Sequence, residues 1–341
     1  METLAVAHYK GAMKRFLPFL LTPLLAFAAD EKFDVKIERN QPAFDKLIPK
    51  DAQIEKLAEG FNWSEGPAWY QDSVVFSDVP ENVIYRWKEG QPKAEVFLKP
   101  SGGIESTPEF REPGSNGLAV DAEGRLIICQ HGARRIARLE SDGRQTPLAE
   151  RFDGKRFNSP NDLALRKNGD IYFTDPPYGL AGLDESPLKE LPYNGVYRVT
   201  PKGEVTLLTK EINFPNGIAF SPDEKRLYVA VSDGKKPRIM AFAVQEDGSL
   251  ANGGVFFDAE YLKGGGRKGS CDGMTVDKHG NVFATGPGGV LVISPDGTLL
   301  GTINTGQATG NCTWGDDGST LYITADMFLC RVKTSTKGAG F

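Results

Sequence analysis

Six positions spread along the chain place a carboxylate or amide side chain directly before a short apolar segment. They are Glu65, Asn116, Asn161, Asn216, Asp272 and Asn311, which lie 51, 45, 55, 56 and 39 residues apart. If they converge, their oxygen ligands suit a hard divalent cation, Ca²⁺ first and Mg²⁺ or Mn²⁺ next. Zn²⁺ ranks last because its usual Cys and His ligands are missing. Alternatively, these side chains only form the turns that often begin strands.

The same six positions each open a sequence repeat, and repeats of this length indicate how they could meet. In each repeat the polar residue precedes an apolar strand, a turn rich in Asp, Gly, Asn or Lys, and a second strand, as in PNDLALRKNGDIYFTD from Pro160. Each repeat is long enough for one four-stranded blade. The sequence therefore predicts an all-β fold, a six-bladed β-propeller with a central metal-binding channel, in which the six residues reach one rim.

The N-terminal segment differs from the rest of the chain. Residues 1–29 have the features of a signal peptide, because Lys14 and Arg15 precede a short apolar run that ends in the small-x-small pattern Ala-Phe-Ala. Translation could start at Met1 or at Met13. The mature protein is therefore expected to be exported, periplasmic or secreted, without an integral membrane span.

The remainder, residues 30–341, is expected to form a single propeller domain. Only 30 residues follow Asn311, which is enough for three strands of the last blade but hardly for a fourth. The segment 53–61 precedes the first repeat and has a strand-like pattern. It is expected to supply the missing outer strand and so close the ring without leaving a free edge.

The second strand of each blade runs back to the same rim and ends there in a polar residue. An outer ring is therefore expected, made of Asp78, His131, Asp175, Ser232 and Asp326. The long loops map to this side as well, and they are 99–115, 176–194 and 262–270. Long loops over a rigid scaffold usually carry binding specificity. For His131, a hydrogen-bonded strand end and a role in proton transfer or substrate binding both stay open.

Composition and motifs exclude several classes of protein. The formal net charge of -5 and the lack of a long basic run argue against nucleic acid or an anionic membrane as partner. A GxSxG elbow and a Gly-rich phosphate loop are both missing from the sequence, which argues against serine hydrolases and P-loop enzymes. The four cysteines are expected to be buried thiols, with a Cys271–Cys312 disulfide as the alternative. The class of partner that remains is a small molecule, and the protein is expected to be a monomer or dimer.

Five segments taken in order resemble a known family. EGPAW, RFNSPNDLAL, YFTDPPYG, FPNGIAFSPDEKRLYV and CDGMTVDKHGNVF are similar to signatures of the gluconolactonase, regucalcin and luciferin-regenerating enzyme family. The resemblance covers roughly residues 51–332. It implies a six-bladed propeller around a divalent cation, and relatives that include lactonases, phosphotriesterases of the diisopropyl-fluorophosphatase type and, more distantly, paraoxonases.

Carried over residue by residue, the resemblance implies that Glu65, Asn216 and Asp272 are metal ligands, with Asn161 as the fourth. It also implies that Arg156 and Asn158, in the RFN segment, bind a sugar. Together with the other rim residues, the expected substrate contacts are Asn116, His131, Asn158, Arg156, Asp175 and Asn311.

The predicted activity is hydrolysis of a sugar lactone. A cation would polarise the lactone carbonyl, and a carboxylate would take a proton from the attacking water. A carboxylate base is needed because Ca²⁺ acidifies bound water far less than Zn²⁺ does. Asp272 is the first choice for this base and Asp162 the second. The alternatives are a phosphotriesterase or arylesterase acting at the same metal, and a non-catalytic propeller that binds Ca²⁺ only for stability.

Overall fold

Strands account for nearly all regular structure in residues 33–341, which are the residues that this computed structural model describes. The leader, residues 1–29, lies outside the described residues. Within 33–341 the helical pieces are short 3-10 turns, and they are Pro42–Lys46, Leu183–Glu185 and Glu260–Leu262. No helix among these described residues is long and apolar enough to cross a bilayer.

The strands follow the repeats found in the sequence. The first twelve are β1 (Lys36–Arg39), β2 (Ile54–Glu59), β3 (Ser64–Trp69), β4 (Val74–Asp78), β5 (Val83–Trp87), β6 (Glu95–Leu98), β7 (Ser115–Val120), β8 (Leu126–Gln130), β9 (Arg135–Leu139), β10 (Gln145–Ala149), β11 (Arg151–Phe152) and β12 (Lys155–Arg156). The others are β13 (Leu163–Leu165), β14 (Ile171–Asp175), β15 (Gly195–Val199), β16 (Val205–Thr209), β17 (Pro215–Phe220), β18 (Arg226–Val231), β19 (Arg238–Val244), β20 (Leu250–Asp258), β21 (Met274–Val276), β22 (Val282–Gly286), β23 (Gly289–Ile293), β24 (Leu299–Asn304), β25 (Asn311–Gly315), β26 (Thr320–Ala325) and β27 (Phe328–Lys333).

These strands form six antiparallel sheets, which are the blades of a β-propeller, and the predicted fold class is confirmed. Blades 1 to 4 are β3–β6, β7–β10, β13–β16 and β17–β20, with β11 and β12 as a small hairpin between the second and third. Blade 5 contains β21–β24, and blade 6 contains β25–β27. In blade 6 the outer position is filled by β2, which pairs antiparallel with β27. The N-terminal part of the chain thus pairs with its C-terminal part, and no outer edge is left open there.

One strand was not expected from the repeats. β1 pairs antiparallel with β24 and gives blade 5 a fifth, outermost strand, with Lys36 opposite Asn304 and Arg39 opposite Gly301. The residues that follow β1 continue this contact, because Phe44 is completely buried in the cluster between blades 5 and 6. The segment before β2 is therefore part of the propeller and covers one of its blade interfaces.

The blades pack face to face, which explains why second strands such as β4, β14 and β22 are buried along their whole length and begin with apolar residues. Between blades 2 and 3, for example, the ring of Phe157 packs edge-on against Phe173 and Tyr197, with centroids 5.1 and 5.2 Å apart. Burying one such side chain contributes about 2–3 kcal/mol. All four cysteines are buried and free, as predicted.

Candidate active site

Asparagines from three successive blades are linked by hydrogen bonds at one end of the channel. The Asn116 Nδ2 donates to Asn161 Oδ1 at 3.0 Å, and Asn161 Nδ2 donates to Asn216 Oδ1 at 2.6 Å. Asn216 Nδ2 then donates to the hydroxyl of Ser232 at 2.9 Å. Each asparagine precedes or begins the inner strand of its blade, so the repeats do bring these predicted site residues together.

Close contact between neighbouring blades is what places these side chains side by side. A Cβ atom at Gly66, which follows Glu65, would lie 2.0 Å from the Asn116 carbonyl oxygen, and one at Gly217 would lie 2.2 Å from the Asp272 carbonyl oxygen. Only glycine fits at such positions. The register of the inner strands also shifts here, as between Glu65 and Ala68 in β3, and such bulges change the direction of neighbouring side chains.

Two carboxylates from different blades complete the same group. Glu65 is 2% exposed, and its Oε2 accepts a hydrogen bond from Gly66 N at 2.9 Å. Burial raises the pKa of Glu65 to about 8, with a smaller contribution from the negative charge of Asp162. Burial also raises the pKa of Asp272 well above its ordinary value, and the carboxylate of Glu65 raises it further. The two groups therefore repel each other in a desolvated site, where a positive charge would stabilise both.

Asp162 occupies the position where neighbouring repeats have glycine, and it lies on the side of the ring that faces the short turns. Its carboxylate accepts hydrogen bonds from Leu163 N at 2.9 Å, Ile218 N at 3.4 Å and Asn311 Nδ2 at 3.4 Å. Burial raises its pKa to about 7. Asp162 and Asn311 line the inner end of a cavity of ≈ 1190 Å³ that opens on the short-turn face, opposite the long loops.

The donor set of the ring fits a hard divalent cation. It contains the buried carboxylate of Glu65, the half-buried carboxylate of Asp272 and several amide oxygens. The Oδ1 of Asn116 is buried without a hydrogen-bond partner among residues 33–341. Within that range no three His, Cys, Asp or Glu side chains form a cluster that could hold a metal. Such a site would therefore depend on amide oxygens beside Glu65 and Asp272, which is typical of Ca²⁺ rather than Zn²⁺.

Two of the long loops pair with each other over this ring, and we call them the roof: residues 99–115 and 176–194. The Arg111 N donates to the Gly179 carbonyl at 2.9 Å, which ties one loop to the other. Gly179 lies directly on the side chain of His131, since a Cβ added there would be 2.6 Å from the His131 Cβ. The roof thus contacts the outer ring of residues that the sequence predicted.

His131 is completely buried beneath the roof. Its Nδ1 lies 3.2 Å from the Glu112 carbonyl oxygen, and Asn161 of the ring lies beside the imidazole. Burial lowers the pKa of His131 to about 4, so the imidazole is neutral at physiological pH. A neutral histidine at this place can exchange hydrogen bonds with a bound molecule, and its predicted role in substrate binding stays a prediction.

Asn158 and Asp175 are held in a buried network beside the ring. The Asn158 N donates to Asp175 Oδ2 at 2.8 Å, and Asn158 Nδ2 donates to the carbonyls of Asp175 and Tyr193 at 2.9 and 3.0 Å. Burial raises the pKa of Asp175 to about 7, and the Arg134 guanidinium partly offsets this. These contacts fix the two segments that lead to Asn161 and to the roof, whereas contacts with substrate stay a prediction.

Arg156 is held by groups outside the ring. It ends the small hairpin β11–β12, its guanidinium donates to the Ala133 carbonyl and its N donates to Glu190 Oε2 at 2.8 Å. None of the hydrogen bonds found among the described residues joins it to the ring. Its predicted role in sugar binding therefore also stays a prediction.

Two residues near the reactive end were missed by the sequence analysis, Glu112 and Tyr178. The Glu112 carboxylate is near enough to raise the pKa of Glu65 and Asp272, although its effect is smaller than that of burial. The Tyr178 ring stacks on Phe214 with centroids 6.2 Å apart and planes inclined by 12°. Both belong to the roof, and the only signal for them was that long loops cover this face.

Comparisons with known proteins agree with this architecture. Residues 63–326 match the family model described as the SMP-30/Gluconolactonase/LRE-like region. A gluconolactonase from Zymomonas mobilis is 42% identical over 312 residues, which cover 89% of this chain and 87% of that protein. A solved structure described as a gluconolactonase from Xanthomonas campestris is 35% identical, with a TM-score of 0.76 over 88% of this chain and 95% of that one. A pentonolactonase from Haloferax volcanii is 23% identical over 76% of this chain and 80% of that protein. The chain belongs to the SMP-30/gluconolactonase/LRE-like family.

Proposed function

We propose that this protein is a lactonase that opens sugar lactones at the ring of Glu65, Asn161, Asn216 and Asp272. The observation that carries the proposal is the electrostatic interaction of the buried carboxylate of Glu65 with the half-buried carboxylate of Asp272, beside linked asparagine amides at one end of the channel. The similarity to a gluconolactonase over most of both chains supports the choice of substrate class. The substrate is a small cyclic ester, and no macromolecular partner is needed.

The residues that would hold a divalent cation are Glu65, Asn161, Asn216 and Asp272. Their oxygen atoms favour Ca²⁺, with Mg²⁺ and Mn²⁺ as alternatives and Zn²⁺ last. When bound, such a cation supplies a Lewis acid that stabilises negative charge on a carbonyl oxygen. In the absence of an opposite charge, the two carboxylates are costly to keep ionised in this buried place.

The chain itself supplies the base for water attack. Asp272 is partly exposed, and Asn216 hydrogen bonds to it. It takes a proton from water as the water oxygen bonds to the lactone carbonyl carbon. The bond between that carbon and the ring oxygen then breaks, the ring oxygen takes up a proton, and the product is a hydroxy acid. Asp162 is less suited to this step because its carboxylate already accepts three hydrogen bonds from the protein.

The proposal is tested by a substrate panel on protein stripped of metal with a chelator and refilled separately with Ca²⁺, Mg²⁺, Mn²⁺ or Zn²⁺. The panel contains a six-membered aldonolactone, an aryl ester and a phosphotriester, and acid release is followed after subtraction of the uncatalysed rate. We expect the aldonolactone to be hydrolysed fastest, with Ca²⁺ among the ions that restore activity. A preference for the phosphotriester would replace lactonase by the alternative hydrolase, and no hydrolysis with any ion would refute catalysis.

A further inference from the structure

Two buried polar atoms under the roof have no partner within 3.5 Å in the part of the chain that the structure describes, although the side chains of Asn161 and Ser232 lie beside them. They are the Nε2 of His131 and the hydroxyl oxygen of Tyr178. A buried polar group without a partner destabilises a protein, so such groups are few and are often found where a ligand supplies the missing bond. Both side chains lie at the roof, because Gly179 packs on His131 and Tyr178 precedes Gly179 in the chain. The hydrolysis described above uses neither.

The contacts of His131 determine which hydrogen bond its free nitrogen can make. Its Nδ1 lies 3.2 Å from the carbonyl oxygen of Glu112, which can only accept a hydrogen bond. The proton of the neutral imidazole is therefore on Nδ1. It follows that Nε2 carries a lone pair and accepts a hydrogen bond, for which the matching donor is a hydroxyl group.

Tyr178 is fixed close to the reactive carboxylate. Its ring stacks on Phe214, and its hydroxyl is near enough to Asp272 for that charge to raise the pKa of the phenol. Ser232, its polar neighbour, already donates to the Cys271 carbonyl and accepts from an asparagine of the ring. The phenol therefore has room for a partner, since no described residue offers one within 3.5 Å.

Glu112 adds a carboxylate to this group. Its side chain is largely buried and pairs with Arg111, with N and O 2.7 Å apart. The Glu112 N donates to the carbonyl of Gly179 at 3.3 Å, directly after Tyr178, and Gly179 lies on the side chain of His131. Glu112, His131 and Tyr178 are therefore neighbours beneath the roof. The carboxylate accepts hydrogen bonds, as His131 Nε2 does, and the phenol both donates and accepts.

We propose that Glu112, His131 and Tyr178 form a hydroxyl-binding subsite that selects polyhydroxylated lactones over unsubstituted ones. This inference rests on the proposed lactone hydrolysis and specifies its substrate. The ring hydroxyls of a sugar lactone would donate to Nε2 and to the carboxylate, and one would pair with the phenol. A lactone without hydroxyls leaves His131 Nε2 and the Tyr178 hydroxyl without a partner, and sites built to hydrogen-bond a hydroxyl discriminate strongly against analogues that lack it.

The test compares kcat/KM for glucono-1,5-lactone with kcat/KM for δ-valerolactone, which has the same ring size without hydroxyls. We expect the wild-type ratio to favour the hydroxylated lactone strongly. Tyr178→Phe removes only the hydroxyl and should lower the ratio about 3- to 10-fold, and Glu112→Gln should lower it about 10-fold or more because the lost bond is charge-assisted. Tyr261→Phe is the matched control, since Tyr261 is exposed outside the roof, and its ratio should stay within two-fold of the wild type.

The outcomes separate the two proposals. If the wild type hydrolyses neither lactone, the proposed function falls and the subsite with it. If it hydrolyses both with equal efficiency, or if Tyr178→Phe and Glu112→Gln leave the ratio unchanged, the enzyme is a lactonase and the subsite is refuted. A thermal melt of each variant checks folding, and loss of stability cannot imitate the expected result because it lowers activity on both lactones equally.

Discussion

Glu65→Gln should make the metal-free protein more stable at neutral pH, although it removes a residue from the active site. Glu65 is almost completely buried, and its pKa is raised from the ordinary 4.5 to about 8, chiefly by burial. Glutamine keeps the shape and the acceptor for Gly66 N without the charge. The substitution therefore removes a buried charge while leaving the local hydrogen bond in place.

The magnitude follows from proton linkage. Between pH 4.5 and 8 the folded state holds the Glu65 proton and the unfolded state does not, so the free energy of unfolding falls by about 1.4 kcal/mol per pH unit. The stability that the Glu65 proton gives to the folded state is fully present below pH 4.5 and is lost as pH rises through about 8. At pH 7 the loss is roughly 3 kcal/mol, which corresponds to roughly 5 °C in Tm for a domain of this size.

The assay is thermal unfolding of wild type and Glu65→Gln between pH 4.5 and 8 in the presence of a chelator. The difference in Tm should be close to zero at pH 4.5 and should grow to several degrees by pH 7. Glu95→Gln, at an exposed position of β6, is the matched control and should behave as the wild type at every pH. If Glu65→Gln were only as stable as the wild type at pH 7, or less stable, the reasoning about the buried carboxylate of Glu65 would be refuted.

Two other predictions concern blade contact and processing. Gly217→Ala should lower the free energy of unfolding by about 1–3 kcal/mol, because its Cβ would lie 2.2 Å from the Asp272 carbonyl oxygen. Gly234→Ala, where nothing lies within 4 Å, is the control in the same denaturant titration. Equal effects of the two substitutions would contradict the close-contact argument. We propose that the protein is exported and that its leader is cleaved, so that the mature chain begins at Ala29 or Asp30. Mass spectrometry of the purified protein checks this, and a retained leader would disprove cleavage.

The blade architecture could be predicted from the sequence because each repeat carries its own strand and turn signals. Six polar residues before apolar strands at spacings of 39 to 56 residues indicated six sheets around an axis, and that fold is confirmed. β1 could not be predicted in the same way. It lies outside the repeats, and KIER has no strong strand pattern of its own, so its pairing with β24 depends on an edge formed by distant residues.

The candidate site could be predicted only in part, for a related reason. Asn161 and Asn216 share a repeat position, and the structure places their side chains in contact. Glu112 and Tyr178 belong to loops that occur once in the chain, and no repeat aligns them with anything else. Their approach to Asp272 depends on how two loops pair in space, which local sequence does not encode.

The central claim is that lactone hydrolysis occurs at the carboxylates of the ring. It is tested most directly by the rate of aldonolactone hydrolysis at saturating Ca²⁺ for the wild type, Asp272→Asn and the exposed control Asp72→Asn. Loss of a general base lowers kcat by about 10²- to 10⁴-fold. We therefore expect the kcat of Asp272→Asn to be lower than that of the wild type by about 10²-fold or more, while the kcat of Asp72→Asn is unchanged. Full activity in a folded Asp272→Asn protein would contradict the account.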